Sequence, residues 1–217
     1  MIKDNLKVVK DSLADGVELV AVSKYHPISA VEEAYAEGQR VFGESREQEL
    51  RIKYDALPKD IKWHFIGHLQ TNKVKYIAPY ISMIETVDSL KLMKEINRHA
   101  DKNNRVIDIL LELHLAQEDT KSGMSCDDMR QMLEQGEWKN MKNIRICGIM
   151  MMASNTDDEE RIKQEFLTAE AFFTEAKQKY FFNEDYFSVK SYGMSHDYLL
   201  AQECGSNHVR VGSKIFN

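Results

Sequence analysis

Proline, cysteine, basic excess and long apolar runs are all scarce in this chain, and each scarcity excludes something. Only Pro27, Pro58 and Pro79 occur, with no Pro-rich or Gly/Ser-rich tract, so no segment has the composition of a linker and residues 1–217 read as one domain. The three cysteines (Cys126, Cys147, Cys204) are odd in number, far apart and without a C-x-x-C pair, which suggests neither a disulfide framework nor a zinc site. A formal net charge of −6 and a pI near 5.7 argue against a nucleic-acid surface. No apolar stretch approaches the ~20 residues that span a bilayer, and the charged N-terminus has no signal-peptide core. The expectation is a soluble, cytoplasmic protein that binds neither nucleic acid nor membrane. Neither G-x-G-x-x-G nor G-x-x-x-x-G-K-[ST] occurs, which counts against an open nucleotide-binding sheet.

What is present is a regular alternation. With 43% hydrophobic and 29% charged residues the chain has ordinary globular material for a core. After an opening helix ending near Leu13, short apolar or β-branched runs at 18–25, 40–44, 62–67, 83–87, 106–115, 144–152, 186–192 and 208–216 read as strands. Runs such as Ile107-Asp108-Ile109-Leu110-Leu111 are apolar for most of their length, which suits strands covered on both faces of a parallel sheet. Ser29 with Glu32, and Thr156 with Glu159, have the spacing of capping boxes; Gly38 and Gly205 read as helix stops, and Ser195 as the cap of a helix from about His196 to Glu203. Eight strand–helix units predict a single α/β domain, a (β/α)8 TIM-type barrel with an extra N-terminal helix.

In such a barrel the C-terminal ends of the strands form the functional face. The first run, Leu19-Val20-Ala21-Val22-Ser23-Lys24, ends in a lysine. Held partly out of water at the barrel mouth, its amine loses affinity for a proton and is free to attack an aldehyde. At the other end of the chain, Gly193-Met194-Ser195 and Arg210-Val211-Gly212-Ser213 follow the seventh and eighth strands, where barrels of this type often hold phosphate. Closure sets strand eight beside strand one, so the phosphate-type cluster neighbours Lys24. An amine beside a phosphate pocket is what pyridoxal 5′-phosphate requires.

Several segments then become recognisable together: Ala21-Val22-Ser23-Lys24, Phe42-Gly43-Glu44, Trp63-His64-Phe65-Ile66-Gly67-His68-Leu69-Gln70 with Asn72-Lys73, Lys121-Ser122-Gly123, Gly193-Met194-Ser195, and Val209-Arg210-Val211-Gly212-Ser213 with Ile215-Phe216. In this order, over nearly the whole chain, they resemble the pyridoxal phosphate homeostasis proteins, whose fold is similar to the barrel domain of alanine racemases. The resemblance implies that Lys24 holds the cofactor as a Schiff base. It implies that Ser195, Gly212 and Ser213 hold the phosphate with help from the backbone around Met194, and that Arg210 faces the pyridine nitrogen. A guanidinium only donates, so the ring would stay unprotonated and be a weaker electron sink. The implied role is cofactor holding in vitamin B6 and amino-acid homeostasis without turnover of its own, with pyridoxal phosphate and the apo-enzymes that use it as partners. Lys121 matches a basic family position. Three residues depart from the family pattern: Ser45 for an asparagine, so that no cofactor hydrogen bond is carried over to that position, Tyr192 for a methionine, and Asn217 for a glycine.

Three other readings carry less weight. His64 and His68 have metal-pair spacing, but on a strand and its turn that spacing does not converge. Gly193-Met194-Ser195-His196-Asp197 lacks the second glycine of a nucleophile elbow. Met150-Met151-Met152 reads as packing. The enzymatic alternative, a minimal amino-acid racemase, needs a second domain bearing a catalytic tyrosine, which is not expected in a chain ending at Asn217.

Overall fold

A computed structural model describes residues 1–115 and 122–217. Among them, eight parallel strands close in the order β1 to β8: Glu18–Val22, Val41–Glu44, Lys62–Phe65, Met83–Val87, Ile107–Leu113, Ile144–Met151, Val189–Ser191 and His208–Val211. Every expected strand is present. Closure is made by β1 on β8, with Val20 opposite Arg210 and Ala21 opposite Val211. The helices that cover the barrel are α1 (Ile2–Asp11), α2 (Ile28–Ala36), α3 (Glu47–Ala56), α4 (Val74–Ile77), α5 (Leu90–Lys102), α6 (Cys126–Gln135), α7 (Glu159–Tyr180), α8 (Tyr198–Glu203) and α9 (Ser213–Phe216).

Strand alternation divides the apolar residues between two cores. Leu19, Ala21, Phe42, Trp63, Phe65, Ile109, Leu111 and Met151 point outward into the layer beneath the helices. Met83, Leu110, Cys147 and Met150 form a smaller cluster against which Met152 and Val189 pack. The methionine run is therefore packing, split across both faces of β6. One glycine is obligatory there. At the irregularity between β5 and β6, Gly148 has φ +156°, and a Cβ would come within 1.8 Å of Val189 O.

Several local expectations are corrected. Helix α2 starts directly after Pro27, and Ser29 makes no capping bond; proline's fixed φ already sets the entry. Helix α7 is capped by Asp158, whose side chain accepts from Arg161 N, while Thr156 Oγ1 accepts from Asp158 N one step earlier. The last strand stops at Val211 instead of reaching Phe216. Residues 213–216 coil into α9, which packs on α1 through Asn5 Nδ2 donating to Ile215 O at 3.1 Å. Among the described residues no helix is long and apolar enough to cross a membrane.

Candidate functional site

The turn after β1 carries Lys24, and a buried polar clamp fixes that turn. Tyr25 sits in the left-handed region at φ 69°, a conformation a bulky residue keeps only when its surroundings impose it. Its amide donates to Glu49 Oε1 at 2.7 Å. Lys53, on the inner side of α3 and 3% exposed, donates to Ser23 O, Glu44 Oε1 and Glu49 Oε1, each at 2.7 Å, and Ser23 Oγ adds a 2.6 Å bond to Glu44 Oε1. Burial pushes the Glu44 carboxyl above its ordinary range, with the Lys53 charge and hydrogen bond pulling the other way. Lys24 itself is exposed, with Nζ 5.7 Å from the centroid of the Tyr25 ring. Its place after an apolar run predicts partial burial, but the strand ends at Val22 and Lys24 falls in the exposed turn beyond it.

On the opposite side of the β1–β8 seam the sequence-predicted phosphate residues converge. Ser195 is buried, and its Oγ accepts from Gly212 N at 3.1 Å, tying the exit of β7 to the exit of β8. It does not cap α8. Asp197 takes the position before that helix and accepts from Met194 N at 2.6 Å, so the Met194 amide is committed. The amides of Ser195, His196 and Ser213 meet no acceptor among the described residues. Gly212 lies flat on β1: a Cβ there would stand 3.0 Å from Val22 O and 3.2 Å from Val22 Cβ. Gly193 is equally constrained, at φ +88° and with a hypothetical Cβ 2.5 Å from Ala201 Cβ. Ser213 is exposed beside this cradle.

Beneath the mouth, Arg210 anchors a polar axis through the barrel that the sequence did not announce. Its Nη1 donates to Ser191 O and Oγ, both at 2.6 Å, and Nη2 to Met151 O at 2.9 Å. Ser191 Oγ donates to Glu85 Oε2 at 2.6 Å, and Glu85 Oε1 pairs with His64 Nδ1 at 2.6 Å. Burial alone would raise the Glu85 carboxyl; the hydrogen bond and charge of His64, the charge of Arg210 and the Ser191 hydroxyl outweigh it and hold the group at about 2. The signal was a glutamate at the centre of an apolar strand, Met83-Ile84-Glu85-Thr86-Val87, whose alternation points it inward beside Met83. With two acceptors on Ser191 and one on Met151, the guanidinium still has N–H donors to spare.

Of the remaining candidates, His64 lies inside this axis and His68 stands exposed at the mouth with Nδ1 3.6 Å from Asp88 Oδ2, so the pair does not converge. Among the described residues no group of three or more His, Cys, Asp or Glu could hold a metal. Tyr192 is fully buried and stacks on Phe166 at 6.4 Å, away from the mouth. Lys121 lies outside the described residues.

Known proteins share both sequence and architecture. Residues 1–217 match the model of the alanine racemase N-terminal domain. A pyridoxal phosphate homeostasis protein of Aquifex aeolicus is 34% identical over 200 residues, covering 92% of this chain and 86% of that protein. One of Schizosaccharomyces pombe is 36% identical over 203 residues, covering 92% and 83%. Among solved structures, PipY of Synechococcus elongatus is 33% identical and aligned over the full length of both chains, with a TM-score of 0.94 without pyridoxal phosphate and 0.91 with it bound. Alanine racemase from Streptomyces coelicolor, 16% identical with a TM-score of 0.77 over 57% of its length, shares the fold.

Proposed function

Because the chain belongs to the pyridoxal phosphate homeostasis protein family, we propose that it binds pyridoxal 5′-phosphate at the β7–β8–β1 mouth and holds it as a Schiff base on Lys24. The observation that carries this reading is the cradle formed by Gly212: its bare backbone rests on Val22, its amide is bridged to Ser195 Oγ, and Lys24 follows Val22 by two residues. A side chain at 212 would press on Val22 O at 3.0 Å and Val22 Cβ at 3.2 Å and push the exit of β8, with Ser213, away from β1 and Lys24. The hydroxyls of Ser195 and Ser213, with the amides of residues 195, 196 and 213, supply the donors for a phosphate, and Gly212, whose amide is held by Ser195 Oγ, supplies the close-lying backbone between them. Met194 contributes the shape of its turn, since its own amide is engaged by Asp197. Arg210, rigidly held by Ser191 and Met151, offers a donor to the ring nitrogen.

The cofactor, once bound, supplies an aldehyde for the Lys24 amine and a conjugated ring. The protein's part would be to fix the lysine turn through Lys53, seat the anion, and offer the ring nitrogen the permanently protonated guanidinium of Arg210. Such a ring is a weak electron sink, which supports holding and transfer of the cofactor in vitamin B6 and amino-acid homeostasis over turnover. Delivery to cofactor-dependent apo-enzymes and a cytoplasmic setting belong to the same reading.

The test incubates pyridoxal-loaded protein with single enantiomers of alanine in deuterated water and follows optical purity and deuterium incorporation together. The expected outcome is retention of optical purity, with at most slow exchange at the α-carbon. Turnover at about 1 s⁻¹ or faster, within the ordinary enzyme range, makes it a racemase instead.

A further inference from the structure

A cavity of about 290 Å³ opens on the rim between the exits of β2 and β3, lined by Ser45, Arg46, Phe65, His68, Leu69 and Gln70 among others. Its place in the ring matters. The strands run β7, β8, β1, β2, β3 around the mouth, so the anion cradle, Lys24 and this cavity follow one another in that order. A molecule that reached the aldehyde-bearing carbon at Lys24 from the side away from the phosphate would lie along this rim.

The charges in the cavity wall do not cancel. Lys73, which also lines it, is neutralised by Glu47 at 2.9 Å. Arg46 has no carboxylate partner among the described residues; its guanidinium lies over the Tyr25 ring at 5.1 Å, the same ring that Lys24 Nζ approaches at 5.7 Å. One aromatic side chain, held at a positive φ by the Glu49 bond to its amide, thus spaces an unpaired guanidinium from the lysine amine. The wall is built, too. Gly67 abuts the backbone of Ser45 so closely that a Cβ would come within 2.2 Å of Ser45 O, locking the β2 and β3 exits together. Buried Phe65 and Leu69 give the cavity an apolar back. A volume near 300 Å³ is at the small end of ligand pockets.

From this geometry we infer that the β2–β3 cavity takes the carboxylate of a small α-amino acid through Arg46, presenting the amine to the Lys24 side of the mouth. A planar guanidinium accepts a carboxylate as a fork, which an ammonium does not reproduce. The inference rests on the pyridoxal phosphate reading above and adds the second ligand of the same site.

The experiment uses protein loaded with pyridoxal phosphate and freed of excess, its loaded fraction measured for each variant. Binding of glycine, ethylamine and acetate is followed by saturation-transfer NMR. Glycine is expected to bind about tenfold tighter than ethylamine, or better, as one charge-assisted contact implies. Arg46→Ala removes that preference, Arg46→Lys keeps part of it, and Arg51→Ala, on helix α3 outside the cavity wall, retains it. A glycine preference that survives Arg46→Ala, or that is absent in the wild type, overturns the inference and leaves the cofactor reading standing. Wild-type protein that retains no pyridoxal phosphate overturns that reading and this one together.

Discussion

Lys53→Met probes the clamp that fixes the Lys24 turn, and its cost follows from the structure. The ammonium is almost wholly buried and makes three 2.7 Å bonds, one of them to the fully buried Glu44. Methionine fills a similar volume, so packing changes little. What remains is a buried carboxylate stripped of its charged partner and left with the Ser23 hydroxyl alone, a type of change that costs about 3–5 kcal/mol. Protonation sets the ceiling. Burial already raises the Glu44 carboxyl above its ordinary value of 4.5, and without Lys53 it takes up a proton on folding. Protonating a group of ordinary pKa 4.5 at pH 7 costs about 3 kcal/mol, and at pH 5.5 about 1.4 kcal/mol. A carboxyl raised in the folded state contributes stability below its unfolded value and loses it as pH rises, so the deficit of the variant grows with pH. Guanidinium unfolding of both proteins, in the same cofactor state, at pH 7 and 5.5 measures this directly. At pH 7 the melting temperature should also fall by about 6–12 °C. Lys53→Met/Glu44→Gln should remove most of the pH dependence. A loss under about 1 kcal/mol at pH 7, or equal losses at both pH values, would mean that Lys53 does not hold the Glu44 charge.

Three further outcomes are expected. Glu85 is held at about 2, so its contribution is present above its ordinary value of 4.5 and is lost as pH falls towards 2. Acid unfolding of wild type should therefore steepen across that window by about 3 kcal/mol in total, and Glu85→Gln should flatten it. Ser195→Ala and Ser213→Ala should each weaken pyridoxal phosphate retention about tenfold in a spectroscopic titration, whereas the exposed Ser29→Ala should not. Gly212→Ala should weaken retention at least as much, because the added methyl meets Val22 O at 3.0 Å; equal affinities across the series would remove the cradle from the account.

Most strands were legible because they are covered on both faces for most of their length, and covered strands write themselves as apolar runs. Strand ends and caps were less so. Pro27 displaced the Ser29 box, Asp158 displaced Thr156, and the run through Phe216 looked like strand although Gly212 turns the chain into α9. The location of Ser195, Gly212 and Lys24 on adjoining strand exits followed from barrel closure alone. What Ser195 bonds to did not, since a serine before a short helix reads as a cap until the register of β7 and β8 brings Gly212 N to its Oγ. The Lys53 clamp and the His64–Glu85–Ser191–Arg210 axis join residues far apart in the chain, and a lone glutamate or lysine in a pattern gives its charge but not its partner. Only the i, i+4 spacing of Glu49 and Lys53 on α3 was a local trace.

A covalent hold on Lys24 is read out by intact mass before and after borohydride reduction of pyridoxal-phosphate-loaded protein. One reduced pyridoxyl adduct per chain is expected, mapped to the peptide bearing Lys24 and absent in a folded Lys24→Ala variant. A reducible adduct that persists at full occupancy in Lys24→Ala, or one that maps to another lysine in the wild type, would contradict it.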